Sequence, residues 1–330
     1  MNTATKVGAF GAGVSLAFGV ALGIGNAVGP VGAEPALSDH QAHGANPDPD
    51  TDTDTDTEMD QDMNHDGHTT PTAGPEAPGG LQISERGYTL APPDEPLPAG
   101  ERTDFRFRIL GPDGEPLADY EKTHDKDLHL IVARRDLSGF QHVHPTLGAD
   151  GAWSVPLTFA NAGDHRIFAD FSPAGDPDGP LTLGADVAVT GGYRPEPLPE
   201  PARTAGVDGY TVTLDGDLAA GADSELTLSV SRDGRPVTDL EPYLGAYGHL
   251  VALRSGDLAY LHVHPQGEPG DGETPAGPGI TFHTRAPSEG TYRLYLDFQH
   301  NGAVRTAEFT VTAGQVAQRP TPGASAGHAH

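Results

Sequence analysis

Two short stretches carry most of the chemistry the sequence offers. Residues 140–147 read "FQHVHPTL" and residues 260–267 read "YLHVHPQG", so two histidines a single residue apart precede a proline in both. Side chains alternate along an extended strand, which puts His142 and His144 on one face, and His262 and His264 likewise. A third histidine stands upstream of each pair at the same interval, His129 in "LHLIVAR" and His249 in "GHLVALR". A hairpin in which Arg134 pairs with Gly139 sets Ile131 opposite His142 and His129 opposite His144. Directly opposed Cβ atoms lie about 5 Å apart, so three imidazoles converge on one patch of one sheet. The second copy repeats the arrangement.

Three convergent neutral imidazoles suit one divalent ion, since ring nitrogens bind Zn or Cu at about 2 Å and a tetrahedral centre takes three or four such ligands. Pro145 and Pro265 cannot donate a ladder bond and are expected to end their strands, leaving each site near a sheet rim where an ion enters. Asp170 and Asp297, at matching places in "IFAD" and "LYLD", are candidates for a fourth ligand in their own copy, or for the acceptor that holds a ligating imidazole by its other nitrogen. The expectation is one site per copy: His129, His142, His144 and Asp170, then His249, His262, His264 and Asp297. Such sites are expected to weaken as pH falls through about 6, where free imidazole takes a proton.

Weaker candidates are unequally repeated. His124 is matched by Leu244 and His165 by Tyr292, so either enlarges the first site alone, while His283 and His300 belong to the second copy alone. His40, His43, Met59, Met63, His65, His68, His328 and His330 sit in polar segments that can capture ions loosely. In "DMNHDG", Asp62, Asn64, Asp66 and Gly67 follow the first half of a calcium loop, yet its last position is Ala73 instead of glutamate, and a solvated acidic spacer also accounts for them. There is no cysteine, and the only methionines are Met1, Met59 and Met63. Neither copy therefore offers a soft ligand for Cu(I), and imidazole with carboxylate favours Cu(II) or Zn(II), with Ni(II) behind them.

The elements that must hold these residues are strands. Gly and Pro are abundant (44 and 31), and apolar or alternating runs such as "TDFRFRIL", "HLIVAR" and "AEFTVT" are bounded by turn residues. An internal duplication is plain: "GPDGEPLADYE" matches "SRDGRPVTDLE", "LHLIVARRDLSGFQHVHP" matches "GHLVALRSGDLAYLHVHP" without a gap, and "GDHRIFADF" matches "GTYRLYLDF". About seven short strands per copy suit an immunoglobulin-like sandwich, so the fold class is all-β, with two tandem sandwiches at residues 81–190 and 207–313. Residues 191–206, "GGYRPEPLPEPARTAG", read as a stiff linker, residues 34–80 as a disordered acidic Asp/Thr/His spacer, and residues 314–330 as a disordered tail.

Residues 1–33 hold Lys6, a long apolar run and a small-residue "VGA" end, the pattern of a cleaved signal peptide, though the run is also long enough for an uncleaved membrane anchor. Either route places the chain outside the cytoplasm. A net charge of −28 repels nucleic acid and anionic lipid and favours cations, metal ions included.

The run ending "AVGPVGA", the "HLIVARRDLSGFQHVHP" block with its copy, and the "ADF" and "LDF" strand ends resemble exported bacterial β-sandwich proteins associated with copper or other heavy metals, and more faintly the small YtkA-like sandwich domains. The resemblance implies a metal-associated extracytoplasmic role and no particular reaction, and the methionine-rich pattern common in copper carriers is absent from both copies. Three functions are compatible with these residues: metal sequestration or delivery, an extracellular interaction module with structural histidines, and a three-histidine metalloenzyme that activates water. No nucleophile elbow or phosphate loop accompanies the last.

Overall fold

The computed structural model describes residues 77–261 and 263–315. The expected leader, most of the acidic spacer with His40, His43, His65, His68 and the calcium-like stretch, the tail beyond residue 315, and His262 lie outside the described residues. No helix among the described residues is long and apolar enough to cross a membrane.

The first half contains strands β1 Ser84–Glu85, β2 Tyr88–Ala91, β3 Arg102–Leu110, β4 Tyr120–Glu121, β5 Leu128–Arg134, β6 Gln141–Val143, β7 Thr146–Leu147, β8 Trp153–Thr158, β9 Gly163–Pro173 and β10 Leu181–Val189. The second contains β11 Thr204–Val207, β12 Tyr210–Asp215, β13 Ala219–Ala220, β14 Asp223–Arg232, β15 Arg235–Pro236, β16 His249–Arg254, β17 Tyr260–Leu261, β18 Val263–Pro265, β19 Gly279–Arg285, β20 Gly290–His300 and β21 Ala303–Gln315. Each half is a sandwich. An outer sheet runs β1-β2-β3-β8-β7 in the first and β11-β12-β14-β19-β18 in the second, and an inner sheet runs β10-β9-β5-β6 and β13-β21-β20-β16-β17. The all-β expectation holds.

Alternation explains the outer sheets. In β3, Phe105, Phe107 and Ile109 point inward while Asp104, Arg106 and Arg108 face water, as a sheet wet on one side requires. The inner strands differ, because β5 is buried at every position. Leu128, Leu130 and Val132 fill the core of the first sandwich, whereas Ile131 and Ala133 point the other way, into a separate apolar cluster with Leu137, Phe168, Val251, Leu253, Leu258 and Tyr295. That cluster is a seam between the two inner sheets, and both sandwiches lie within one compact unit. Sequence alone left open which face of the His hairpin is buried. Both are.

The seam has approximate two-fold character. Phe140 stacks on Tyr295 with ring centroids 4.0 Å apart, and its counterpart Tyr260 lies against Phe168, the counterpart of Tyr295, at 5.7 Å. The Tyr295 hydroxyl donates to the Leu137 carbonyl at 2.6 Å. Residues 79–82 bind the outer edge of the first inner sheet and bridge to the second sandwich: Gly80 N–H donates to Thr182 O, Gly184 N–H to Gln82 O, and Tyr260 N–H to Gly79 O. Gly184 is required there, since a Cβ at that position would stand 1.9 Å from the Gly80 carbonyl oxygen. The end of the expected spacer is thus built into the sheet edge. Between the sandwiches, Arg134 lies over the Tyr193 ring at 4.8 Å and donates to the Arg194 carbonyl, which pins the linker.

Phe168 tests the seam, because it points away from the core of its own sandwich. Phe168→Ala is expected to lower the unfolding free energy by about 3–5 kcal/mol in urea denaturation, the cost of truncating a fully buried ring. A near-neutral result would mean that the two inner sheets do not pack together in solution.

Candidate metal centre

β6 pairs with β5 in the register Ile131 opposite His142 and Leu130 opposite Val143. β6 then stops at Val143, and the chain crosses from the inner to the outer sheet through His144 and Pro145 to reach β7. His129, at the start of β5, lies on the seam face with Ile131 and Ala133. Its Nδ1 is 3.1 Å from His142 Nε2 and 3.2 Å from His144 Nε2. The three offer ligand atoms that all lie within 4.8 Å of one another, the arrangement of a group able to hold a metal ion.

What surrounds the three rings fixes their protons. The chain before β5 makes a tight turn, Thr123–Lys126, with His124 and Asp125 both at positive φ (50° and 64°), a pair of angles typical of type I′ turns. The carbonyl of Thr123 accepts from His129 Nε2 at 2.9 Å. A carbonyl cannot donate, so the ring proton sits on Nε2 and Nδ1 is a bare lone pair. His142 Nδ1 meets Asp297 Oδ2 at 2.8 Å, and both side chains are only 4% exposed. With the proton on Nδ1, His142 Nε2 is bare as well. Two lone pairs then face each other across 3.1 Å, and a cation between them would satisfy both, while a neutral His144 donating from Nε2 would serve only the one on His129. A proton bridges two nitrogens, whereas a metal ion serves three. In a tetrahedral zinc site the nitrogens stand about 3.3 Å apart, close to the distances here.

The Asp297 contact departs from the expected layout. Asp170 was expected to serve the first patch and Asp297 the second, but the carboxylate on His142 comes from the other sandwich. Asp297 is held in turn by Thr306 Oγ1, which donates to its Oδ1 at 2.6 Å. Asp170 accepts from Thr182 Oγ1 at 3.0 Å and faces the Tyr260 hydroxyl of the second sandwich at 3.5 Å. The paired threonines are a repeated signal that sequence reasoning missed: Thr182 and Thr306 sit directly opposite Asp170 and Asp297 in the neighbouring strands.

Nor does the second copy repeat the first in full. β17 pairs with β16 in the matching register, Ala252 opposite Leu261 and Leu253 opposite Tyr260. His249 donates from Nε2 to Leu244 O at 3.0 Å and Tyr243 O at 3.2 Å, in a turn with Leu244 and Gly245 at positive φ, so it is held as His129 is. The crossing between sheets comes earlier, however. Val263–Pro265 joins the outer sheet, and His264 is exposed opposite His283. Among the described residues one three-imidazole group forms, on His129, His142 and His144; the set expected in the second copy includes His262, which lies outside them.

The site lies beside the edge strand β6, near the start of β5. His124, His129, His142, His249, Asp170 and Tyr260 line a small cavity of about 30 Å³ in the seam, where the His129 and His249 rings stack with centroids 6.2 Å apart. A larger open cleft of about 880 Å³ lies alongside and shares Asp170 and Tyr260 with it. His124 is brought near, 5.0 Å from His249 and 5.9 Å from His129 between ring centroids. His165 is not. It lies opposite Arg134 at the far end of β5, packs on Phe159 and donates from Nδ1 to Gly163 O. His300 bonds Tyr210 and Asp239 inside the second sandwich, and His283 is exposed.

A family described as "Domain of unknown function (DUF8832)" matches residues 83–179 and 205–315, one segment in each sandwich. The chain belongs to this family. No curated protein matches the chain. Among solved structures, domains 4 and 5 of the S-layer protein SbsC are 11% identical with a TM-score of 0.20, over 72% of this chain and 100% of that one. Invasin, a bacterial integrin-binding protein, is 13% identical with a TM-score of 0.20, over 71% of this chain and 41% of that one. The Escherichia coli alpha-2-macroglobulin activated by porcine elastase is 14% identical with a TM-score of 0.23, over 69% of this chain and 20% of that one. Likenesses this slight say nothing of what the chain does.

Burial sets the charge state of the cluster. Desolvation, helped by neighbouring imidazoles, pushes His129 down to about 4 from an ordinary 6.5, and His144 and His249 down to about 3. The folded chain thus holds these rings neutral where the unfolded chain protonates them. Their contribution to stability is complete above pH 6.5 and is lost as pH falls from there toward 4 and 3. For the two most enclosed, His129 and His249, each contributes a slope of up to about 1.4 kcal/mol per pH unit in that window. Chemical unfolding of the metal-free protein from pH 7.5 to 4.5 is expected to show this loss, and His249→Phe is expected to flatten it. A pH-independent stability would mean that these rings are open to solvent.

Proposed function

We propose that this chain is an exported, non-enzymatic metal-binding protein that holds a divalent ion, Zn(II) or Cu(II), on His129, His142 and His144 for sequestration or delivery. The observation that carries the reading is the pair of lone pairs, His129 Nδ1 and His142 Nε2, forced to face each other at 3.1 Å by the acceptors on their far sides. Acceptors that fix the tautomer of a ligating imidazole are the usual accompaniment of a histidine metal site. The absence of cysteine, and of methionine within either sandwich, favours a borderline ion over Cu(I). Export follows from the apolar N-terminal run, with cleavage or anchoring both compatible. Because one complete group is present among the described residues, the expected stoichiometry is one ion per chain.

The competing reading, an extracellular module whose histidines are structural, has one observation in its favour. His129 and His142 each already have an outer hydrogen-bond partner, and a proton between them would complete a buried polar chain. Its signature is stability that chelators leave unchanged.

Calorimetric titration with Zn(II) and Cu(II) at pH 7.5 separates the two. One equivalent is expected, lost in His142→Ala and retained in His165→Ala, with a chelator lowering the melting temperature of the loaded chain. Because burial holds His129 and His144 neutral, proton competition at those rings belongs below pH 5, not near 6 as an exposed site would show. No uptake of either ion would remove the reading, and a second equivalent lost in a His249→Ala, His264→Ala variant would restore a site in each sandwich.

A further inference from the structure

The metal centre lies in a seam, and its parts come from both sides of it. His129, His142 and His144 belong to the first sandwich, while the carboxylate that orients His142 is Asp297 on β20 of the second, fixed there by Thr306. Around this contact the two halves exchange equivalent groups, Phe140 onto Tyr295 and Tyr260 onto Phe168, and the Tyr260 hydroxyl also reaches toward Asp170. Self-complementary exchange of this kind is the geometry of a two-fold dimer interface, here joined within one chain.

Resting on the metal-binding reading above, we infer that ion occupancy and docking of the two sandwiches are thermodynamically coupled, with Asp297 as the positioning residue that links them. The physical route is short. Docking brings the Asp297 carboxylate to His142 Nδ1, which holds the proton on that nitrogen and aims the Nε2 lone pair at His129 and His144. A sandwich that has swung away leaves His142 free to rotate and to change tautomer, so the docked state binds the ion more tightly. By reciprocity an ion bound to first-sandwich ligands must then stabilise the docked state. The apolar seam supplies most of the contact, and the ion biases it. Asp297→Leu removes the acceptor at similar size, and Asp297→Asn keeps an oxygen that can still accept from Nδ1–H.

The test uses the full chain and Zn(II) alone. Affinity is read by competition with a chromophoric chelator, and amide exchange is read by mass spectrometry with and without Zn(II). Expected are a 10–100-fold loss of affinity in Asp297→Leu, the range typical for removing the partner of a ligating histidine, and substantial recovery in Asp297→Asn. Zn(II) should also slow exchange across β16 and β20, strands that contribute none of the three imidazole ligands, and should not do so in His142→Ala. Exchange in the unaltered chain decides the matter even if Asp297→Leu fails to fold. Zn(II) uptake that leaves β16 and β20 exchange unchanged overturns the coupling and spares the metal site, as does wild-type affinity in Asp297→Leu. Absence of uptake by the unaltered chain overturns both.

Discussion

The inner sheets have to bury two faces, and the rest of the molecule follows from that constraint. A strand such as β5, apolar on both sides, cannot satisfy itself with one sandwich core, and the only comparable surface in the described chain is the inner sheet of the other copy. Ile131, Ala133 and Phe168 therefore meet Val251, Leu253 and Tyr295. The duplication is less a pair of beads than a face that exists twice and closes on itself.

Placing polar groups within such a seam imposes strict conditions. An imidazole taken out of water loses its proton readily, and each nitrogen that remains must find a partner or a lone-pair acceptor. The outer nitrogens of His129, His142 and His249 meet these conditions through turn carbonyls and a carboxylate. The inner nitrogens of the first triad meet them only incompletely with protons. With that imbalance the cluster is one that could hold a cation, and the Asp297 carboxylate lies where it would offset one. The tight turns with positive φ at His124 and Leu244 share in this, because their geometry turns the carbonyls toward β5 and β16.

The two copies also show how little is needed to break an internal symmetry. The same hairpin register is kept in both, and the same turn holds the first histidine. The crossing from inner to outer sheet comes at Pro145 in one copy and before Val263 in the other, and that shift carries His264 to the surface. Repeated sequence therefore yields one described three-imidazole group and a partial echo of it.

Period-two alternation, turn residues and the repeat were enough to read the all-β class, the tandem sandwiches, the pairing of Ile131 with His142 and the convergence of His129, His142 and His144. These are local matters, decided by side-chain alternation within one hairpin, and a linear sequence records them. The seam, the assignment of Asp297 to His142 and the exposed position of His264 on the outer sheet came only with the tertiary structure. Alternation says that a strand has two apolar faces but not which distant surface covers the second. That depends on how two whole sheets fit, a property of shape and summed contact that no short run of residues contains.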